Sequence, residues 1–200
     1  RGTLVTPQPH ADAFVGLAHR NGKLAMMHCS GDAAMDICLT AYEASIKADP
    51  GRLTPRRIEH FGMFQMTDQQ LARAQALKED GLAISIQPIW LTELVKADVE
   101  NMGEALAKTG YRFHSMIAAG LEPAASTDMT GIYLGNIDPF RAMQAVVTRE
   151  SDMGLFEPQE AVPVTDALRM WTIWAAKAIG EADRRGSIEP GKLADMTVLS

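Results

Sequence analysis

The chain has no surplus of positive charge: 19 Lys and Arg stand against 25 Asp and Glu, a formal net charge of −6. Without a basic stripe to neutralise phosphates, a nucleic-acid partner is not expected. No apolar run approaches the ~20 residues that cross a bilayer. Nor does a basic start precede an apolar core, as in a secretory leader, so no membrane role and a cytoplasmic location are expected. Neither GxGxxG nor GxxxxGK(S/T) occurs, which argues against a phosphate-cradling nucleotide fold. Only two cysteines are present, Cys29 and Cys38, and they form no CxxC pair. They are expected to be small buried residues of a reducing compartment rather than a disulfide.

What is present suits a globular domain. Residues are 46% hydrophobic and 22% charged, and 200 residues fit one domain with room for part of a second. The chain is arranged around Lys23–Met35, KLAMMHCSGDAAM. A short apolar strand, Leu24 to Met27, stops at His28, the turn Cys29-Ser30-Gly31 follows, and a helix opens at Asp32. Its inward face is Met35, Leu39, Tyr42 and Ile46, and Asp32 is expected to cap it. The pattern recurs in RRIEH (Arg56–His60), LAISIQ (Leu82–Gln87) and LEPAAST (Leu121–Thr127), the last ending at Asp128.

The strand-end residues His28, His60, Gln87 and Asp128 are 32, 27 and 41 residues apart, room enough for crossover helices between parallel neighbours. Helices are expected from Thr67, where Gln70 completes a capping box, over 98–108 and 114–119, from the Asp138-Pro139 N-cap to Arg149, and as one piece over 165–179. Alternation along RRIEH puts Ile58 and His60 on one side of the sheet and turns Arg57 and Glu59 toward the helix layer. The pattern is α/β, either part of a (β/α)8 barrel or a doubly wound sheet. In both, chemistry sits at the carboxyl ends of the strands.

Two imidazoles and a carboxylate at such ends are what zinc and similar ions take as ligands. A bound zinc ion lowers the pKa of a water to roughly 7, and a carboxylate beside that water can take its proton. The alternative for His28 is a core histidine satisfied by a carbonyl. Gln87 either meets substrate or hydrogen-bonds a ligand residue. Trp90 and Tyr133 are candidates to wall a pocket, and both join Gln87 as candidate substrate contacts. His10, His19 and His114 read as surface or packing residues, Trp171 and Trp174 as packing, and the twelve methionines as core filler.

The stretches MMHCSGDAAMDICLTAYE, RRIEHFGM, SIQPIWL, LEPAASTDM, DPFRAMQAVVTRE and GSIEPGKLADMTVLS, in that order, resemble the second half of an amidohydrolase-superfamily enzyme. The nearest subgroup is amidohydrolase family 3, with its N-substituted formamide deformylase-like and D-aminoacylase-like members. The resemblance implies strands five to eight of a TIM-type (β/α)8 barrel over residues 1–185. Residues 186–200 would be the outgoing segment of a small composite β-sandwich. It implies His28 and His60 as metal ligands and Asp128 as metal ligand and catalytic base and acid. One or two divalent ions, zinc by preference, and a small-molecule substrate with a C–N bond complete the expectation. The family's first strand carries an HxH pair that is not found in this sequence. The chain is therefore expected to be a fragment of a longer enzyme, or to work with the missing half as a separate polypeptide, or to self-associate. Two rivals remain. One is a non-catalytic barrel relative that uses the same mouth for binding or assembly. The other is a metal-free glycosidase using Glu59 and Asp128, disfavoured because Glu59 should face outward.

Overall fold

The structure is a computed structural model and describes residues 3–51, 55–129 and 137–198. Helix α1 (Gln8–Arg20) leads into β1 (Ala25–His28), α2 (Asp32–Ala48), β2 (Arg56–Glu59), α3 (Asp68–Ala76) and β3 (Leu82–Ile86). A single-turn 3-10 helix (Pro88–Thr92), α4 (Val95–Met102), α5 (Glu104–Ala107) and α6 (Phe113–Ala118) then precede β4 (Ala124–Ala125). After α7 (Pro139–Thr148) come a small hairpin, β5 (Glu150–Ser151) and β6 (Gly154–Leu155), and the paired helices α8 (Val164–Trp171) and α9 (Ile173–Ala178).

Strands β1 to β4 form one parallel sheet in sequential order, as crossover helices between neighbours require. Its register sets His28 beside Glu59, Glu59 beside Ser85, and Ser85 beside Ala124. No helix among the described residues is long and apolar enough to cross a membrane.

Side-chain caps start two of the helices. Thr67 caps α3: its hydroxyl accepts from the Gln70 N–H at 3.1 Å while the Gln70 side chain accepts from the Thr67 N–H at 3.0 Å. Asp138 caps α7 through the Phe140 N–H at 2.8 Å, with Pro139 at the first helical position. Asp32 is not the cap of α2; Gly31 holds that place at φ +95°, where a side chain would be strained. The stretch expected as one helix over 98–108 is two, parted at Gly103 with φ +85°, and that over 165–179 breaks at Thr172, which leaves the helical region. Of the fourth expected strand only Ala124 and Ala125 pair, and residues 186–198 hold turns without a strand.

Two sequence expectations are corrected. Cys29 and Cys38 form a disulfide. Cys29 follows β1 directly and Cys38 lies on the buried face of α2, so the helix that leaves the turn brings the second sulfur back over the first. The argument for a reducing compartment falls with it. The face assignment of β2 is also reversed. Arg56, buried on the Ile58 side, reaches the Ser45 hydroxyl of α2 at 3.3 Å, the Asp80 carbonyl at 2.6 Å and His19 Nδ1 of α1 at 3.0 Å. The helix layer thus covers Arg56 and Ile58. Arg57 and Glu59, ion-paired with each other, lie on the opposite face with Met26 and His28. Tyr42 of α2 fastens the layers by donating to the carbonyls of Ala25 (3.2 Å) and Arg57 (2.9 Å).

Candidate functional site

By strict alternation His60 would follow Ile58 into the helix layer. It does not, because the strand ends at Glu59 and His60 takes a left-handed turn at φ +61°. A non-glycine residue there costs about 1–2 kcal/mol. That turn swings the ring to the carboxyl end of the sheet, onto the side of His28. The two imidazoles meet edge to face with centroids 4.5 Å apart. Asp128, half-buried after β4, takes the same unusual backbone at φ +53°.

His60 is 5% exposed and tightly surrounded. The Trp90 indole stacks on it at 4.9 Å, nearly parallel, and Phe64 leans on that indole. His60 Nδ1 lies 2.7 Å from Gln87 Oε1. The Gln87 amide in turn donates from Nε2 to Ser126 Oγ at 2.9 Å and stands 3.4 Å from Ser85 Oγ. Burial pushes the His60 imidazole below its ordinary pKa; the Gln87 hydrogen bond opposes this, as does the charge of Asp128, while His28 adds to the lowering. His28 is exposed, with Nε2 3.0 Å from Ser30 Oγ.

Of the residues singled out from sequence, His28, His60, Gln87 and Trp90 are brought together, and Asp128 is close enough for its charge to act on His60. Gln87 is 1% exposed, and its amide meets His60 and two hydroxyls. Tyr133 lies outside the described residues. Sequence reasoning overlooked Ser126, two positions before Asp128, and Ser30; only their nearness to the strand ends could have flagged them. His19 packs against Arg56, and His10 and His114 are exposed. The ground for setting Glu59 aside is also corrected: it shares the face of His28, and what occupies it is Arg57.

A divalent ion suits the imidazole pair, and the hydrogen bond that holds one ring nitrogen of His60 leaves the other for a ligand bond. Among the described residues, however, no three His, Cys, Asp or Glu side chains gather closely enough to form a ready cage. The chain offers two nitrogen donors with a carboxylate nearby.

The sequential parallel sheet makes this a parallel α/β protein, a class whose sites lie at the carboxyl edge where the two imidazoles meet. The comparisons give that class a family. Residues 2–200 match the amidohydrolase family, and the chain belongs to it, within amidohydrolase family 3. It is 31% identical over 192 residues to the protein LONG AFTER FAR-RED 3 of Arabidopsis thaliana, covering 94% of this chain and 31% of that protein. It is also 31% identical over 194 residues to an N-substituted formamide deformylase of Arthrobacter pascens, covering 92% and 33%. A crystal structure of an uncharacterized metal-dependent hydrolase from Pyrococcus horikoshii superposes with a TM-score of 0.79 at 28% identity, over 96% of this chain and 37% of the other. The chain thus spans about a third of the length of the curated relatives it matches.

Proposed function

We propose that the protein is a metal-dependent hydrolase that cleaves a C–N bond in an amide, N-acyl or cyclic-amide small molecule. The observation that carries this is the meeting of His28 and His60 at the carboxyl ends of adjacent parallel strands, with Gln87 holding one of them. His28 and His60 would hold the divalent ion, zinc by preference, with Asp128 as a further ligand. A bound ion of this kind acidifies a water to roughly neutral pKa. Asp128 takes the proton of the attacking water and returns it to the departing nitrogen. Trp90 walls the substrate, and Tyr133 is assigned the same part.

In this reading residues 1–185 are strands five to eight of a TIM-type barrel, and 186–200 lead into a composite β-sandwich. The sequential strand order supports it, as does a solved neighbour of which this chain covers 37%. The remaining strands would come from the same polypeptide, a separate one or a second copy.

The test is Asp128→Asn in the intact protein, with zinc content measured before and after chelation. Turnover of an N-acyl or N-formyl substrate should fall at least a hundredfold with the melting curve unchanged, the scale of a lost general base. Retained turnover would remove Asp128 from its role. A protein that neither carries nor responds to a transition metal would be the non-catalytic relative instead.

A further inference from the structure

The hydrogen bonds behind His60 have a consequence for its chemistry. Gln87 has its carbonyl oxygen 2.7 Å from His60 Nδ1 and its NH2 directed at the hydroxyls of Ser126 (2.9 Å) and Ser85 (3.4 Å). A carbonyl oxygen can only accept, so the nitrogen facing it must carry the proton. A neutral imidazole protonated at Nδ1 keeps the lone pair at Nε2. We propose that Gln87, braced by Ser126, is the positioning residue that fixes His60 in the Nδ1–H tautomer and so reserves Nε2 for the ligand bond. The proposal rests on the reading of His60 as a metal-binding residue.

The brace has a second property. His60 follows β2, Gln87 follows β3, and Ser126 follows β4, so two hydrogen bonds run across three consecutive strand ends. Parallel ladders tie the strands themselves, but they leave the side chains beyond the last pair free to rotate. Here that freedom is removed by one buried amide. Asp128 lies two residues past the last link. Because Gln87 is 1% exposed, no water competes for its amide from open solvent.

Nitrogen NMR of His-labelled, metal-free protein reads the tautomer directly, whether or not the protein turns over any substrate. The wild type should show a pyrrole-type signal at Nδ1 and a pyridine-type signal at Nε2 of His60. Gln87→Glu, whose carboxylate still accepts from Nδ1–H, should keep that pattern. Gln87→Leu should blend the two signals, and zinc affinity, titrated alongside, should fall roughly 10- to 100-fold, the usual cost of losing such a partner. Ser126→Ala should move both readouts in the same direction by less. Gln87→Met serves in place of leucine if the latter does not fold.

A wild-type protein with its proton on Nε2 would mean that the amide is turned the other way, and would overturn the proposal. So would an unchanged tautomer in both the leucine and methionine variants. The expected tautomer in a protein that does not bind zinc would leave Gln87 in its positioning role and sink the metal-site reading instead.

Discussion

His28 and His60 end neighbouring strands and touch one another, yet the protein treats them differently. His60 directly follows an inner strand: it is buried, stacked on Trp90 and hydrogen-bonded to Gln87, and its backbone is held in a left-handed turn. His28 ends β1, the edge of the described sheet, where it is exposed beside Met26, itself 48% exposed, and has Ser30 as its hydrogen-bond partner. One half of the candidate site is preorganised by packing and the other by chain connectivity. The inner strands can fix a ring because the segment that follows β3 supplies both the indole and the amide. An edge strand has a neighbour on one side only.

Removing the packing should break this contrast. Trp90→Ala deletes a buried indole and should cost about 3 kcal/mol, read from the denaturation midpoint. The His60 ring would then lose its stacking surface, and its NMR shifts should average toward those of an unconstrained side chain. Ser30→Ala at the other histidine should cost under about 0.5 kcal/mol, as surface hydrogen bonds do. Equal losses at the two sites would show that the edge histidine is as firmly held as the inner one.

The same contrast marks what could be read from the sequence. Strand ends were legible because apolar runs stop abruptly at polar residues, and that alone placed His28, His60 and Gln87 at one edge of a sheet. Caps at Thr67 and Asp138 were legible because their chemistry is local. The pleat of β2 was misread because Arg56, a charged residue, is the one buried toward the helices; its guanidinium is satisfied by Ser45, Asp80 and His19 from three separate segments. The left-handed turns at His60 and Asp128 leave no trace in composition, since neither residue is glycine. Ser126 escaped notice because its partner lies 39 positions away.

Next in size is the disulfide. It ties Cys29, the residue after His28, to α2 and is the only covalent restraint described on the edge-strand side of the site. Reduction, or Cys38→Ser, should lower stability by about 2 kcal/mol, as for a short closed loop. Amide exchange should speed up over residues 28–38 while the His60 signals stay in place. A parallel loss of order at His60 would mean that the two halves are one cooperative unit.

The smallest effect concerns protons. Burial lowers the pKa of His60 in the folded, metal-free protein, whereas the unfolded chain keeps the ordinary value near 6.5. Above that pH both states are neutral and the group contributes nothing. As pH falls below it the unfolded chain binds a proton first, so stability declines, and the decline ends once the pH lies below the folded-state value. Asp98, a buried carboxyl that accepts from the Tyr111 hydroxyl, has its pKa raised by burial and acts in the opposite sense: stability is regained as pH falls through its folded-state value. The wild-type curve alone therefore mixes the two. Subtracting the curve of His60→Asn from that of wild type, by urea unfolding between pH 7 and 5, isolates the imidazole and should leave a loss toward acid. A flat difference would mean that burial does not lower the His60 pKa in the folded protein.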